Sequence, residues 1–489
     1  MKKPNILLIH ADQHRADCIG AYGNRQIKTP CIDAIAADGV LYKNSFCPFP
    51  ICTPSRYSLV SGLYVNQHLC ATNHATLPEG VATFPKLLRD AGYRTACVGK
   101  MHFTPTYLDV GFDRMLLCEQ VGPGRLDDDF HRELKQEGIC DWVDTTDQMD
   151  VHRRNAPEFY WKSHGALESD LDEAHHSTTW IGNKALQMLE DWEGDGNLLM
   201  VGFVKPHHPF DPPYPYSKMY DPEQIELLPG YTPEVLQRDI ARNKGFFPHA
   251  ENTPELVKKC TAMYYGSISQ IDFHVGRMLE KLKEKGMYDD CLIIYTSDHG
   301  DYMGWHNMVG KINYMYEPLA KVPLIVKYPG NSAAGTQSDQ MVNNVDLTAT
   351  ILAQAQVEKP KYMTGYDISN AQNDAQYVFA EDGDGYMVRG RRYKLLLCNR
   401  YPSLLFDLQN DPYELTNLYD DPQYAQIQRE LKDALANWIL FACPRPQNVN
   451  ERAALCKGNN PRNAFSGHRE EMLQFFDEGF NKIPDKWIK

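Results

Sequence analysis

Four short apolar runs stand out along the chain, and each ends abruptly in polar residues. "NILLIH" runs into "ADQHR", "RTACVG" into "KMHF", "NLLMVGFV" into "KPHHPF", and "CLIIYT" into "SDHGD". Continuous apolar runs of this length read as strands buried on both faces, as in a parallel sheet covered by helices. In open α/β sheets, ligands bind beyond the carboxyl ends of the strands. All four endings carry Asp, His, Lys or Gln, so together they outline one site.

Helical patterns lie between these runs. "FPKLLRDAG" reads as a short helix closed by Gly92, and residues 169–192 as a helix with an acidic start. Residues 253–286 open with Thr253-Pro254, close at Gly286 and place Leu256, Cys260, Met263, Ile268, Ile271, Val275, Met278 and Leu282 at helical spacing. Strands alternating with helices predict a doubly wound α/β core, mostly parallel. Residues 113–165 are polar and without clean periodicity, and read as an insertion near the site, with Tyr160-Trp161 as packing residues. From about residue 376, short strands separated by turn residues predict a small antiparallel sheet. A helix with Ile427, Leu431, Leu435 and Trp438 on one side follows. The expected organisation is a catalytic domain over 1–375, a C-terminal subdomain over 376–442, and a polar arm over 443–489 that could wrap the molecule and favours a homo-oligomer.

Composition narrows the class. The chain of 489 residues can bury a large core, and its net charge of −14 argues against nucleic acid and anionic membranes as partners. The run in "MKKPNILLIH" is too brief for a signal peptide, and no stretch approaches a membrane span. The 13 cysteines lack paired metal-site spacing and read as reduced thiols, so a cytoplasmic protein is expected.

The stretch "CPFPICTPSRYSLVSGLY" carries the first candidate chemistry. Pro54 suits a first helical turn, which puts Cys52 at a helix N-terminus where anions are favoured, with the Arg56 cation one turn on. Asp12 and Gln13 follow one strand and Asp298 and His299 another; two carboxylates, an amide oxygen and an imidazole suit a divalent cation. A cysteine phosphatase would need its arginine six positions after the cysteine, and position 58 is Ser. A protein acting only as a binding module would have no need of this whole charged set, which is intact here.

Cys52-Thr53-Pro54-Ser55-Arg56, with Gly62 ten residues after the cysteine, resembles the signature of the type I, formylglycine-dependent sulfatases of the alkaline-phosphatase-like superfamily. "PNILLIHADQ", "GYRTACVGKMH", "VKPHHPF", "SDHG", "GKINYMYEPLAKVPLIV" and "LFDLQNDPYELTNL" extend the resemblance over nearly the whole chain. It implies that Cys52 is oxidised to formylglycine by a dedicated installing enzyme, and that the aldehyde hydrate is the nucleophile. Asp12, Gln13, Asp298, His299 and residue 52 would hold one divalent ion, calcium first, with manganese or magnesium as alternatives. Arg56 would stabilise the hydrate; Lys100 and His102 would bind sulfate and help deprotonate the hydrate's second hydroxyl. His207 and Lys311 would lie at the leaving-group oxygen, with His208 an alternative to His207, and Asn73 would contact sulfate or substrate. His68, His74, His274 and His306 are left as structural or substrate-shaping.

Gln13 and His299 depart from the Asp or Asn and the Asn of many family members, and resemble choline-sulfatase-like enzymes and phosphonate monoester hydrolases. Lys100 and His102 favour the sulfatases. The expected activity is hydrolysis of a small aryl, alkyl or sugar sulfate ester, with phosphonate monoester or phosphodiester hydrolysis as the alternative. Specificity is expected from the 113–165 insertion, the loops after 207 and the arm.

Overall fold

The computed structural model describes residues 3–120, 125–243, 245, 247–444, 446, 450–453, 469–480, 483–484 and 487. The main sheet has eight strands: β1 (Asn5–Ala11), β2 (Val40–Phe46), β3 (Arg94–Gly99), β4 (Arg114–Leu117), β5 (Asn197–Phe203), β6 (Cys291–Ser297), β7 (Leu324–Lys327) and β8 (Thr336–Asn343). Their spatial order is β4-β3-β5-β1-β6-β7-β2-β8, and only β7 runs antiparallel to its neighbours. The four apolar runs are β3, β5, β1 and β6, adjacent and parallel.

Register decides where their polar endings fall. Ala11 is level with Ser297 on one side and Phe203 on the other, and Gly99 is level with Gly202. Asp12 and Asp298 therefore leave the sheet side by side, with Lys100 two strands away. Gly99 has a φ of +91°, and a Cβ there would lie 2.1 Å from the Gly202 carbonyl oxygen. Only glycine permits the sharp exit that carries Lys100 into the site.

Alternation along β1 divides the core. Ile6 and Leu8 face one layer, and Leu7, Ile9 and Ala11 the other. The first layer includes α1 (Cys52–Ser61) and α6 (Asn344–Gln354), through Leu59, Val60, Leu347 and Ile351. The second holds α4 (Ser177–Glu190) and α5 (Pro254–Glu284), through Ile181, Ala185, Ile271, Val275 and Met278. Each fully buried Leu or Ile contributes about 1.5–3 kcal/mol. The Thr253 side chain caps α5 by accepting from Leu256 N, as its Thr-Pro start predicts.

Two expectations need correction. The helix read over 169–192 begins only at Ser177. Asp170 in the acidic stretch before it accepts from the backbone of Trp142 and Val143, so that carboxylate starts a neighbouring helix instead. The polar 113–165 region is not an irregular insertion from its first residue. Arg114–Leu117 is the edge strand β4, and short helices follow, among them α2 (Asp129–Gln136) and α3 (Trp142–Gln148). Asp128 and Asp141 cap these two by accepting from His131 N and Asp144 N. Such short helices carry too few turns to print a period on the sequence. Tyr160 is buried there in an aromatic cluster with Trp142 and Phe247, the packing role expected of it.

The C-terminal sheet is antiparallel in simple order: β9 (Val378–Glu381), β10 (Gly385–Arg389), β11 (Tyr393–Cys398) and β12 (Leu404–Asp407). Helix α7 (Ala425–Asn437) packs on it through Leu431 and Leu435. Glu381 N donates to Pro48 O and its side chain accepts from Asn66 N, which buttresses the chain on both sides of α1. In the arm, α8 (Arg469–Phe480) buries Met472 and Phe476 against Leu126. Asn450–Ala453 pairs with Pro78–Glu79; much of the rest of 443–489 lies outside the described residues. No described helix is long and apolar enough to cross a membrane.

Candidate active site

Cys52 is the first residue of α1, entered from an extended Ile51 and closed at Gly62, whose φ of +64° ends the helix in a left-handed turn. The intervening letters of the pentapeptide fasten this helix start to the strand ends. Thr53 Oγ1 donates to His102 O at 2.8 Å and Ser55 Oγ to Asp298 O at 2.7 Å. Thr53 N donates to Asn73 Oδ1 at 3.1 Å, so half-buried Asn73 meets one otherwise unpaired N–H of the first turn.

Arg56 is fully buried and bridges the two strand-end carboxylates. Its Nε lies 2.9 Å from Asp298 Oδ2 and its Nη2 3.0 Å from Asp12 Oδ2, while Nη1 donates to Lys100 O. Lys100 Nζ reaches Asp12 Oδ2 at 2.7 Å and Gln120 Oε1 at 3.1 Å. The Cys52 sulfur faces this network from the helix. It lies 3.1 Å from Lys311 Nζ, 3.4 Å from His299 Nε2 and 3.7 Å from Asp12 Oδ1. Lys311 Nζ also reaches His207 Nε2 at 3.0 Å and His299 Nε2 at 3.2 Å.

These charges decide the ionisation of the site. Burial opposes ionisation of Cys52, but Lys311, Lys100 and His299 outweigh it and hold the thiol well below its ordinary value. Burial and Cys52 also oppose ionisation of Asp12, and Lys100, His207 and Arg56 outweigh them, so its carboxyl titrates below the usual range. Burial and the neighbouring Asp12 push Asp298 up. Burial, then Lys311 and His208, press His207 well below the usual imidazole value.

A divalent cation fits the donors present. Ligand atoms of Asp12, Cys52, Asp298 and His299 all lie within 4.8 Å of one another. His299 Nδ1 donates to Gly300 O, which leaves the Nε2 lone pair facing the cluster. Gln13 has a φ of +63° and donates its side-chain amide to Asp301 Oδ2 at 2.5 Å. Its Oε1 is buried without a protein partner, as an oxygen reserved for an ion would be.

The structure thus brings together the residues singled out in the sequence, and it decides one open choice. His207 turns Nε2 to Lys311, whereas His208 turns Nδ1 to Asp147 Oδ1 at 2.6 Å. His207 is the histidine at the Cys52 pocket. The His102 backbone N donates to Glu119, and both of its ring nitrogens are buried without protein partners. His68, hydrogen-bonded to Ser58 and to Cys70 N, is structural, as is His306 between Asp239 and Tyr413 O. Sequence reasoning missed Glu119, Gln120, Asp147 and Asp301. Asp301 stands in the "SDHGD" ending and was visible there; the others sit in stretches without a pattern.

Comparison with known proteins agrees with this geometry. The sulfatase family model matches residues 4–357, and the model described as N-sulphoglucosamine sulphohydrolase, C-terminal, matches residues 304–439. An arylsulfatase of Clostridium perfringens is 30% identical over 461 residues, covering 87% of this chain and 92% of the relative. An N-acetylglucosamine-6-O-sulfatase of Bacteroides thetaiotaomicron is 26% identical over 489 residues, covering 89% and 86%. The crystal structure of a phosphonate monoester hydrolase of Agrobacterium radiobacter shares the fold, with a TM-score of 0.74 at 23% identity over 89% of this chain and 95% of that one. The family match spans the strand ends and α1 that build the site, and on that ground the chain belongs to the sulfatase family, as an enzyme that hydrolyses sulfuric esters.

Proposed function

We propose that the enzyme cleaves a small aryl, alkyl or sugar sulfate ester, after a formylglycine-installing enzyme has converted Cys52. The observation that carries this reading is the placement of the Cys52 side chain, buried at a helix start against Lys311, His299 and Asp12. Hydrated formylglycine supplies a hydroxyl that can attack sulfur and a second one through which sulfate can be eliminated. One divalent ion, calcium first and manganese or magnesium as alternatives, would be held by Asp12, Gln13, Asp298, His299 and residue 52, and supplies charge stabilisation on the sulfate oxygens.

The chain's own residues do the rest. Arg56 holds the two carboxylates in place and offsets their charge. Lys100 and the unpartnered ring nitrogens of His102 meet the anionic sulfate, where positioned cations and donors stabilise charge as the ester oxygen departs. His207 Nδ1 donates to His208 O at 2.7 Å, so only Nε2, shared with Lys311 Nζ, can exchange a proton with substrate. As the S–O bond breaks, its electrons leave with the ester oxygen, and the His207–Lys311 pair delivers a proton to that oxygen, a contribution of about 10²–10⁴-fold. Asn73, beside the helix start, contacts the sulfate or the alcohol portion. The free thiols of the described cysteines suit a cytoplasmic setting.

Phosphonate monoester hydrolysis is the second reading, favoured by the Gln13 and His299 pair and by the shared fold of the Agrobacterium enzyme. Two measurements test the choice. Peptide mass spectrometry across residues 46–56 should find an aldehyde at position 52 in material from a host that installs it. A panel of sulfate, phosphate and phosphonate esters should rank sulfate first; faster turnover of phosphonate monoesters would install the second reading in its place.

A further inference from the structure

We infer that Asp147, in α3 and outside the strand-end cluster, is a positioning residue for proton delivery to the leaving group: through His208 it fixes the orientation of His207. This rests on the assignment of His207 and Lys311 to the leaving-group oxygen.

Asp147 is fully buried, and its carboxylate meets His208, Tyr160 and Gln148, the last donating Nε2 to Oδ1. Oδ1 lies 2.6 Å from His208 Nδ1, and Oδ2 accepts from Tyr160 OH at 2.6 Å. His208 in turn holds His207 in two ways. The two rings lie against each other, with centroids 4.2 Å apart and planes inclined by 33°. The His208 carbonyl accepts from His207 Nδ1 at 2.7 Å, and also from Gln120 Nε2 at 2.8 Å and Gln148 Nε2 at 2.9 Å. A carbonyl can only accept, so this contact puts the exchangeable lone pair of His207 on Nε2, facing Lys311. Gln120 then passes its own carbonyl oxygen to Lys100 Nζ.

Gln120, Asp147 and Gln148 all come from the stretch after β3 that reads as polar and patternless; the two glutamines hold the His208 carbonyl and Asp147 holds its ring. Without the Asp147 carboxylate, the His208 ring loses its short charged hydrogen bond, and Gln148 Nε2, 3.3 Å from Nδ1, is a more distant partner. The His208 ring can then shift, and the His207 ring that lies against it can turn Nε2 away from Lys311. Displacement of a proton donor by even about 1 Å costs on the order of 10²-fold in rate. The loss falls on substrates that need the proton. An activated phenol leaves as the anion and needs it little.

The test uses enzyme whose residue 52 is confirmed as formylglycine by mass, and a series of aryl sulfates running from 4-nitrophenyl to phenyl to 4-methylphenyl. For D147N, kcat on the 4-methylphenyl ester should fall about 10²-fold, but under about 5-fold on the 4-nitrophenyl ester. The plot of log kcat against leaving-group pKa steepens accordingly. H207A should steepen it at least as much, D147E should recover part of the loss, and Y160F, which frees Asp147 on one side, should show the same trend more weakly. If D147N does not fold, the Y160F slope decides. A wild-type slope in D147N or Y160F beside a steep H207A overturns the positioning role alone. A wild-type slope in H207A overturns the proton-delivery assignment, and this inference with it.

Discussion

The strand-end cluster and the helical lobe beside it are built on different principles. Asp12, Lys100, Asp298 and the residues around them emerge from adjacent parallel strands whose register is set by the buried core. Every side chain in that cluster is held by at least one charged neighbour, and Cys52, Arg56 and Lys100 are essentially without exposure. The lobe, made of short helices with α8 laid across it, is held by hydrogen bonds to helix starts and by small aromatic clusters. His152 pairs with Asp477 at 2.8 Å and Trp142 Nε1 donates to Phe480 O at 3.0 Å, over a small apolar patch. Chemistry is thus placed where a shift of one residue would disrupt the whole sheet. We propose that the lobe contributes to substrate fit beside the positioning role of Asp147, since a part outside that register can vary at low cost.

Variants can test that division, beginning with the largest effect. Cys52→Ala removes the proposed nucleophile, and kcat should fall about 10⁴-fold or more with an unchanged melting temperature. A fall in melting temperature alongside it would make position 52 part of the scaffold. Arg56→Ala leaves two buried carboxylates without their bridge, and denaturant unfolding should record a loss of about 3–5 kcal/mol. A loss below about 1 kcal/mol would show that the cluster tolerates its charges without the guanidinium.

Acid should separate the two regions next. Burial pushes His68 and His274, under the main sheet, down to about 3, and His164 and His249, under the lobe, down to about 4. In the unfolded chain these groups titrate near 6.5, so stability is intact above that pH. It falls as the pH drops from 6.5 toward 4, by about 1.4 kcal/mol per unit for each histidine. Hydrogen exchange at pH 5 should show the lobe opening first, because it has fewer apolar contacts in reserve. Phe476→Ala should do least: it loosens α8 from the lobe, raises KM several-fold and leaves kcat within about 2-fold. An effect confined to kcat would tie α8 to the proton-delivery contacts of Asp147 rather than to substrate fit.

Much of the fold was legible in the sequence. β1, β3, β5 and β6 showed as apolar runs because both faces of the sheet are covered, and α5 showed because a long helix repeats its period many times. The other half of the sheet did not. β2 and β8 lie toward an edge with partly exposed positions, and β7 is only four residues long, so none prints a clear run. The site residues were legible where a strand ending or the pentapeptide marked them. Glu119, Gln120 and Asp147 were not, because each acts through a hydrogen bond to a residue distant in sequence.

The sequence by itself determined that four buried strands end in polar residues, that a cysteine and an arginine share a helix start, and that the molecule is an α/β enzyme of the sulfatase family. Only the tertiary structure decided that Asp12 stands level with Asp298, that Arg56 joins them, and that His207 rather than His208 turns toward Cys52. The reason is physical. Burial and helical period are local properties written into neighbouring residues, whereas register and the partner of an imidazole nitrogen depend on groups that meet only when the chain has closed.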